Sequence, residues 1–162
     1  MTVRIQIRCT ICRWWAKDLP RMVEIEALAF HRPWGEQEFR RVLSRPGVLG
    51  VVAEDHAGRI VGYVVYMMLP TSYEILSLAV HPGRRLQGVG RQLLWRVLKN
   101  VKATYDRARV RIEVDERNLS AQRFLRACGV PAVGVIPGAC GGRDYYRFEY
   151  TPDEGGHHER GE

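Results

Sequence analysis

The 162-residue chain has no run of about 18 consecutive apolar residues, so no membrane-spanning helix is expected. Its first residues are interrupted by charge and offer no signal-peptide core, which makes a cytoplasmic location the expectation. Lysine is scarce: Lys17, Lys99 and Lys102 are the only three among 25 basic residues, so the net charge of +7 rests on arginine. Such a bias is what a GC-rich coding sequence produces. A basic surface attracts acidic ligands, but the aromatic platform expected of a single-strand binder is lacking, and nucleic acid is not an expected partner. Cysteine is limited to Cys9, Cys12, Cys128 and Cys140. Only the first two are tightly spaced, whereas a zinc site usually needs two such pairs, so reduced thiols and no metal are expected. No repeat or linker divides the chain. One domain over residues 1–150 is expected, with a tail over 151–162, including His157 and His158, that has no apolar residue and is expected to be disordered.

What is present has a clear order. Val3, Ile5, Ile7, Cys9 and Ile11 alternate as in a strand, with Trp14 and Trp15 closing it onto the core. Asp18 as N-cap and Pro20 in the first turn predict a helix over about 19–30. Pro33-Trp34-Gly35 breaks it, and Glu36 to Leu43 reads as a second helix with Phe39, Val42 and Leu43 inward. Val48–Glu54 and Ile60–Leu69 form a hairpin around Asp55-His56-Ala57-Gly58, and a further strand starts near Tyr73. Val110, Ile112 and Val114 mark a fifth strand. Asn118 to Cys128 is helical, with Leu119, Phe124, Leu125 and Cys128 as candidate core residues and Gly129 ending the helix. Val133–Ile136 and Tyr145–Tyr150 pair around Gly138-Ala139-Cys140-Gly141-Gly142. The order β-α-α-β-β-β-α-β-α-β-β is that of a mixed α/β sheet.

The chain is organised around residues 80–94. Glu74 to Val80 has strand character, Val89, Leu93, Leu94, Val97, Leu98 and Val101 form a helical stripe, and a basic turn with Gly88 and Gly90 joins them. A helix N-terminus offers unpaired N–H groups and a positive dipole end, and the glycines allow close approach, so this turn is suited to an anion, most simply a phosphate.

Three blocks together resemble the GCN5-related N-acetyltransferases, and in pattern their bacterial ribosomal-protein alanine N-acetyltransferase group. Arg85-Leu86-Gln87-Gly88-Val89-Gly90 is similar to the family's Q/R-x-x-G-x-G/A signature, with Val80-His81-Pro82 before it and Leu93-Leu94 after it. Residues 112–129 are similar to its strand-five and helix-four block, and Asp18-Leu19-Pro20 through Pro33-Trp34 to its N-terminal helices. The resemblance implies a GNAT-type fold with a central sheet splayed between strands four and five, and acetyl-CoA as co-substrate. Main-chain groups of Leu78, Ala79 and Val80 would bind the pantetheine and acetyl end, amides over Arg85, Leu86, Gln87, Gly88, Val89, Gly90 and Arg91 the pyrophosphate, and Asn118 the pantetheine arm. The activity implied is acetyl transfer to a protein or peptide amine by direct attack on the thioester.

Such chemistry needs a carboxylate to take the ammonium proton. Glu113 on strand five and Glu74 on strand four both stand where family members place their base, and Glu113 is preferred. The position of the family's tyrosine acid holds Leu125, which can donate no proton. Tyr73, Tyr145 and Tyr146 are candidates for the acid or for the wall of the acceptor groove. A short last hairpin implies an open groove, so an N-terminal amine and an internal lysine are both admissible acceptors. Two alternatives stand beside this reading: an enzyme of the same fold acting on a small amine, and a CoA-binding module with little turnover. A monomer or homodimer is compatible with all three.

Overall fold

The computed structural model describes residues 5–10, 15–104 and 109–152, and the side chains of residues 5–7, 17–101 and 109–152. The expected roles of Trp14, Trp15, Cys9 and Cys12, and the tail beyond residue 152, lie outside the described residues or side chains. The elements are β1 (Gln6–Thr10), α1 (Trp15–Ala29), α2 (Glu36–Leu43), β2 (Val48–Glu54), β3 (Ile60–Met68), β4 (Ser72–Val80), a single 3₁₀ turn (Pro82–Arg84), α3 (Val89–Thr104), β5 (Arg109–Asp115), α4 (Leu119–Ala127), β6 (Ala132–Cys140) and β7 (Arg143–Tyr150). This is the order the sequence predicts. No described helix is long and apolar enough to cross a membrane.

Two compact units make up the chain, one of Met1–Met68 with Ile75–Val97 and one of Leu69–Glu74 with Leu98–Glu162. In the first, β1, β2 and β3 pair antiparallel, with Gln6 opposite Glu54 and Val48 opposite Met67. Val51, Val52, Val64 and Val65 are all buried, which is why β2 and β3 read as continuous apolar runs rather than as alternation. Helices α1 and α2 set Leu19, Met22, Ile25, Phe39, Val42 and Leu43 against Val48, Val52, Tyr63 and Val65. Phe39, fully buried, lies edge-on to Trp34 at 5.3 Å and to Tyr63 at 5.6 Å.

Helix α3 lies close against the sheet at Gly62. A Cβ there would stand 3.0 Å from the Ala79 carbonyl oxygen, 3.1 Å from Leu93 Cδ1 and 3.2 Å from Val89 Cγ1. The absence of a side chain on β3 thus fixes how near the first turn of α3 comes. The N-terminal helix differs from its prediction. It starts at Trp15, so Asp18 is not its cap but sits in its first turn, buried, and Pro20 lies inside the helix. An acidic residue in the first turn still suits the dipole, and Leu19 and Met22 pack into the core.

In the second unit β7 pairs antiparallel with β5 on one side, Val110 opposite Tyr150 and Asp115 opposite Tyr145, and with β6 on the other. The Arg109 N–H donates to the Thr71 carbonyl at 3.4 Å, bringing β5 beside the start of β4. Strand β5 buries Val110, Ile112 and Val114 and turns Arg109, Arg111, Glu113 and Asp115 outward. Helix α4 is capped by Asn118 and closed by a Schellman pair, Val130 N–H to Leu125 O and Gly129 N–H to Arg126 O, with Gly129 at φ 77°. Leu125 and Cys128 are buried as expected, but Leu119, in the first turn, is exposed at 56%. The last hairpin is tighter than predicted. Strand β6 runs on to Cys140, opposite Arg143, and only Gly141 (φ 61°) and Gly142 (φ 75°) form the connection, the pair of positive φ values of a type I′ turn.

Candidate active site

In the first unit the chain leaves β4 through a turn fixed at several points. His81 N–H donates to the Val61 carbonyl at 2.9 Å, and His81 Nδ1 accepts from the Gly83 N–H at 3.1 Å, capping the 3₁₀ turn. Arg84 reaches back to the β2–β3 hairpin, its guanidinium 3.0 Å from Asp55 Oδ2. Asp55 is buried, and it also accepts from the N–H groups of Ala57 and Arg59 and from the Arg59 guanidinium. These bonds, the Arg59 N–H first and against the cost of burial, hold its carboxyl below the usual range. A hairpin aspartate thus becomes the post to which the turn is tied.

Beyond that post the backbone opens. Leu86 adopts φ 60° and Gly88 φ 79°, left-handed conformations of the kind that backbone anion nests use, and the Leu86 side chain is fully exposed. Gln92 N–H donates to the Gly88 carbonyl at 3.1 Å as the helix begins, so the amides ahead of it have no carbonyl one turn back. Gln87 Oε1 is buried without a partner among the described residues. Unpaired amides at the head of a 16-residue helix, beside Arg84, Arg85 and Arg91, fit a pyrophosphate. Leu78, Ala79 and Val80 form the end of β4, where Arg85 Nε donates to the Val80 carbonyl at 3.3 Å.

In the second unit the two candidate bases meet one cation. Glu113 on β5 stands directly opposite Arg147 on β7. Arg147 Nη2 donates to Glu113 Oε1 at 2.8 Å. The hydrogen bond it donates to Glu113 and the charges of Glu113, Glu74 and Glu149 hold the guanidinium firmly protonated, against the opposing effect of desolvation. Arg147 Nε is enclosed and donates to nothing among the described residues. Glu149 is itself paired with Arg109 at 3.2 Å and Arg111 at 2.9 Å.

The other predicted residues separate. Asn118 accepts from the Ala121 N–H at 3.1 Å as the α4 cap, which leaves its amide NH2 as the group able to meet a ligand. Tyr73 is 1% exposed, so it belongs to the core and not to an open groove wall. Tyr145 and Tyr146 are partly exposed on β7. Burial first, then the Cys140 thiol and the Asp115 carboxylate, push the Tyr145 hydroxyl above its ordinary value, so it stays protonated at neutral pH. Leu125 is buried and carries no proton.

Three groups escaped the sequence reading: Asp55 as anchor, Arg147, and a buried carboxylate at Glu26. Glu26, 2% exposed on α1, accepts from Ser77 Oγ at 3.0 Å, from the Trp34 N–H at 3.1 Å and from the Tyr63 hydroxyl. Burial pushes its carboxyl above the usual range, partly offset by the bonds from Tyr63, Trp34 and Ser77. It therefore ties the α1–α2 connection to β4 one residue before Leu78. Trp34 in turn lines a cavity of about 300 Å³ with Val42, Leu76, Glu38, Arg41 and Arg45.

The sequence profile described as "Acetyltransferase (GNAT) family" matches residues 19–130. The chain belongs to the GNAT family of acetyltransferases. Among curated proteins it is similar to one of Bacillus subtilis (strain 168) named "Putative [ribosomal protein bS18]-alanine N-acetyltransferase", 28% identical over 120 residues that span 74% of this chain and 78% of that protein. Among solved structures it resembles Ard1 from Thermoplasma volcanium, at a TM-score of 0.80 and 22% identity over 92% of this chain and 98% of the other. It also resembles Arabidopsis thaliana NAA60 in complex with acetyl-CoA, at a TM-score of 0.77 and 19% identity over 93% and 99% of the two chains. The fold expected from the sequence is the fold these structures share.

Proposed function

We propose that the protein is an acetyl-CoA-dependent N-acetyltransferase acting on a protein or peptide amine. The observation that carries this reading is the turn after β4, where Leu86 and Gly88 expose amides at the head of α3 and Asp55 fixes Arg84 behind them. Acetyl-CoA would supply the activated acetyl group. The turn over Arg85–Arg91 would hold its pyrophosphate, and the main chain of Leu78–Val80 its pantetheine arm. Similarity to a protein named for alanine N-acetylation of a ribosomal protein favours a protein amine as acceptor, and with it a cytoplasmic setting.

Glu113 is the proposed general base. Its Oε1 is held by Arg147, which fixes the carboxylate's direction, while Oε2 has no partner among the described residues and is open to an ammonium proton. Glu74 is the second carboxylate of the same cluster. With Leu125 in place of an acid, the departing thiolate takes its proton from solvent, which a thiol with a pKa near ~8.5 tolerates. Incubation with acetyl-CoA and a panel of peptide amines should release CoA well above the rate without acceptor. Background release with every peptide, from a protein that acetyl-CoA nevertheless stabilises against heat, would leave a CoA-binding module instead.

A further inference from the structure

The ion pair at the base position adds little to stability. Side chains of Glu113 and Arg147 are 48% and 42% exposed, and pairs this accessible contribute at most about 1 kcal/mol. Arg147 also holds one guanidinium N–H, at Nε, enclosed and without an acceptor among the described residues, a state that costs more than it returns. The local charges leave it no better protein partner: Glu149 is taken by Arg109 and Arg111, and Glu74 acts on Arg147 only through its field. An incompletely satisfied guanidinium therefore stands beside the carboxylate that an acceptor amine has to reach.

We propose that Arg147 selects the acceptor, favouring an amine with a carboxylate on the adjacent residue and disfavouring one with a second cation there. The proposal rests on the acetyl-transfer reading for the position of the acceptor amine. An arginine or lysine next to that amine would bring a second positive charge within a few ångströms of the guanidinium. An aspartate or glutamate there gives the exposed part of the guanidinium an oppositely charged partner beside the Glu113 contact. Such steering by a single exposed charge changes relative affinities by about tenfold rather than by orders of magnitude. Polyamines, whose amines repeat along one chain, are the acceptors this arrangement suits least.

The test uses short peptides with a free N-terminal alanine, identical except for aspartate, alanine or arginine at the second position. Acetylation gives kcat/KM for each, and calorimetry with the CoA-loaded protein gives binding in the absence of transfer. The wild type should prefer aspartate over arginine by about tenfold, Arg147→Lys should keep that order, Arg147→Met should flatten it, and Arg147→Glu should reverse it. Equal use of the aspartate and arginine peptides by the wild type, or an unchanged order in a folded Arg147→Glu protein, overturns the proposal. If no peptide is acetylated but the binding order and its reversal are seen, selection by Arg147 stands and the acetyl-transfer reading is what fails.

Discussion

Arg84 and Asp55, 29 residues apart in sequence, are joined at 3.0 Å so that the β2–β3 hairpin anchors the turn ahead of α3. Neutralising the anchor should loosen that turn without touching the core. Asp55→Asn is expected to weaken acetyl-CoA binding about threefold to tenfold while leaving the fold intact, since the lost bonds are charge-assisted ones. The pH dependence has a definite sign. Asp55 is held below its ordinary value, so its stabilisation is present above the unfolded pKa and is lost as pH falls through the folded one. Acid denaturation followed by circular dichroism should therefore be shallower on its acid limb in Asp55→Asn than in the wild type.

Gly62 offers a second test of how the turn is placed. A methyl group there meets the Ala79 carbonyl at 3.0 Å, and a backbone atom cannot rotate away. Either β4 or α3 has to shift, and overpacking of this kind costs about 1–3 kcal/mol. Gly62→Ala should lower Tm by several degrees and weaken acetyl-CoA binding together. Gly134→Ala, on β6 with no atom within 4 Å, is the control and should change neither.

What could be read from the sequence was local. The limits of α2 and β2 were predicted to the residue, because an apolar stripe at helical spacing and a β-branched run bounded by turn residues are contained within the segment itself. The glycine turn after β4 was legible for the same reason. Asp18 misled because capping rules weigh only neighbours, and the buried packing of α1 overrides them. Leu119 misled because its place in the stripe falls in the first turn, beyond the part of α4 that is covered. Partnerships across the chain were invisible. Arg147 meets Glu113 across 34 residues only through the register of β5 on β7, and Glu26 meets Tyr63 and Ser77 across 37 and 51.

The assignment of the base can be decided by two conservative changes. Glu113→Gln keeps the shape and the Arg147 contact but cannot accept a proton, and should lower kcat by about 100-fold or more, the usual contribution of general-base catalysis. Acetyl-CoA affinity should be unchanged. Glu74→Gln should lower kcat by much less, since it removes only a field at Arg147. Rates measured with a saturating acceptor separate the two, and a larger loss in Glu74→Gln would transfer the role to strand β4.

Glu26 makes a prediction of opposite sign to that of Asp55. Its carboxyl is raised by burial, so the folded protein holds a proton there that the unfolded chain has already released. Stability from this group is fully present at low pH and declines as pH rises from about 4.5 through the raised folded value. Glu26→Gln carries no charge to desolvate. Its amide oxygen can still accept from the Trp34 N–H, and its NH2 can donate to the hydroxyls of Tyr63 and Ser77, which turn to suit. The variant should therefore lose this pH-dependent decline and be at least as stable as the wild type near neutrality. Glu26→Leu has no such bonds, leaves the Trp34 N–H and one of the two paired hydroxyl donors of Tyr63 and Ser77 without an acceptor, and should cost about 1–3 kcal/mol. Urea titrations across the acid-to-neutral range check each part. A decline with pH that persists in Glu26→Gln would remove Glu26 as its source.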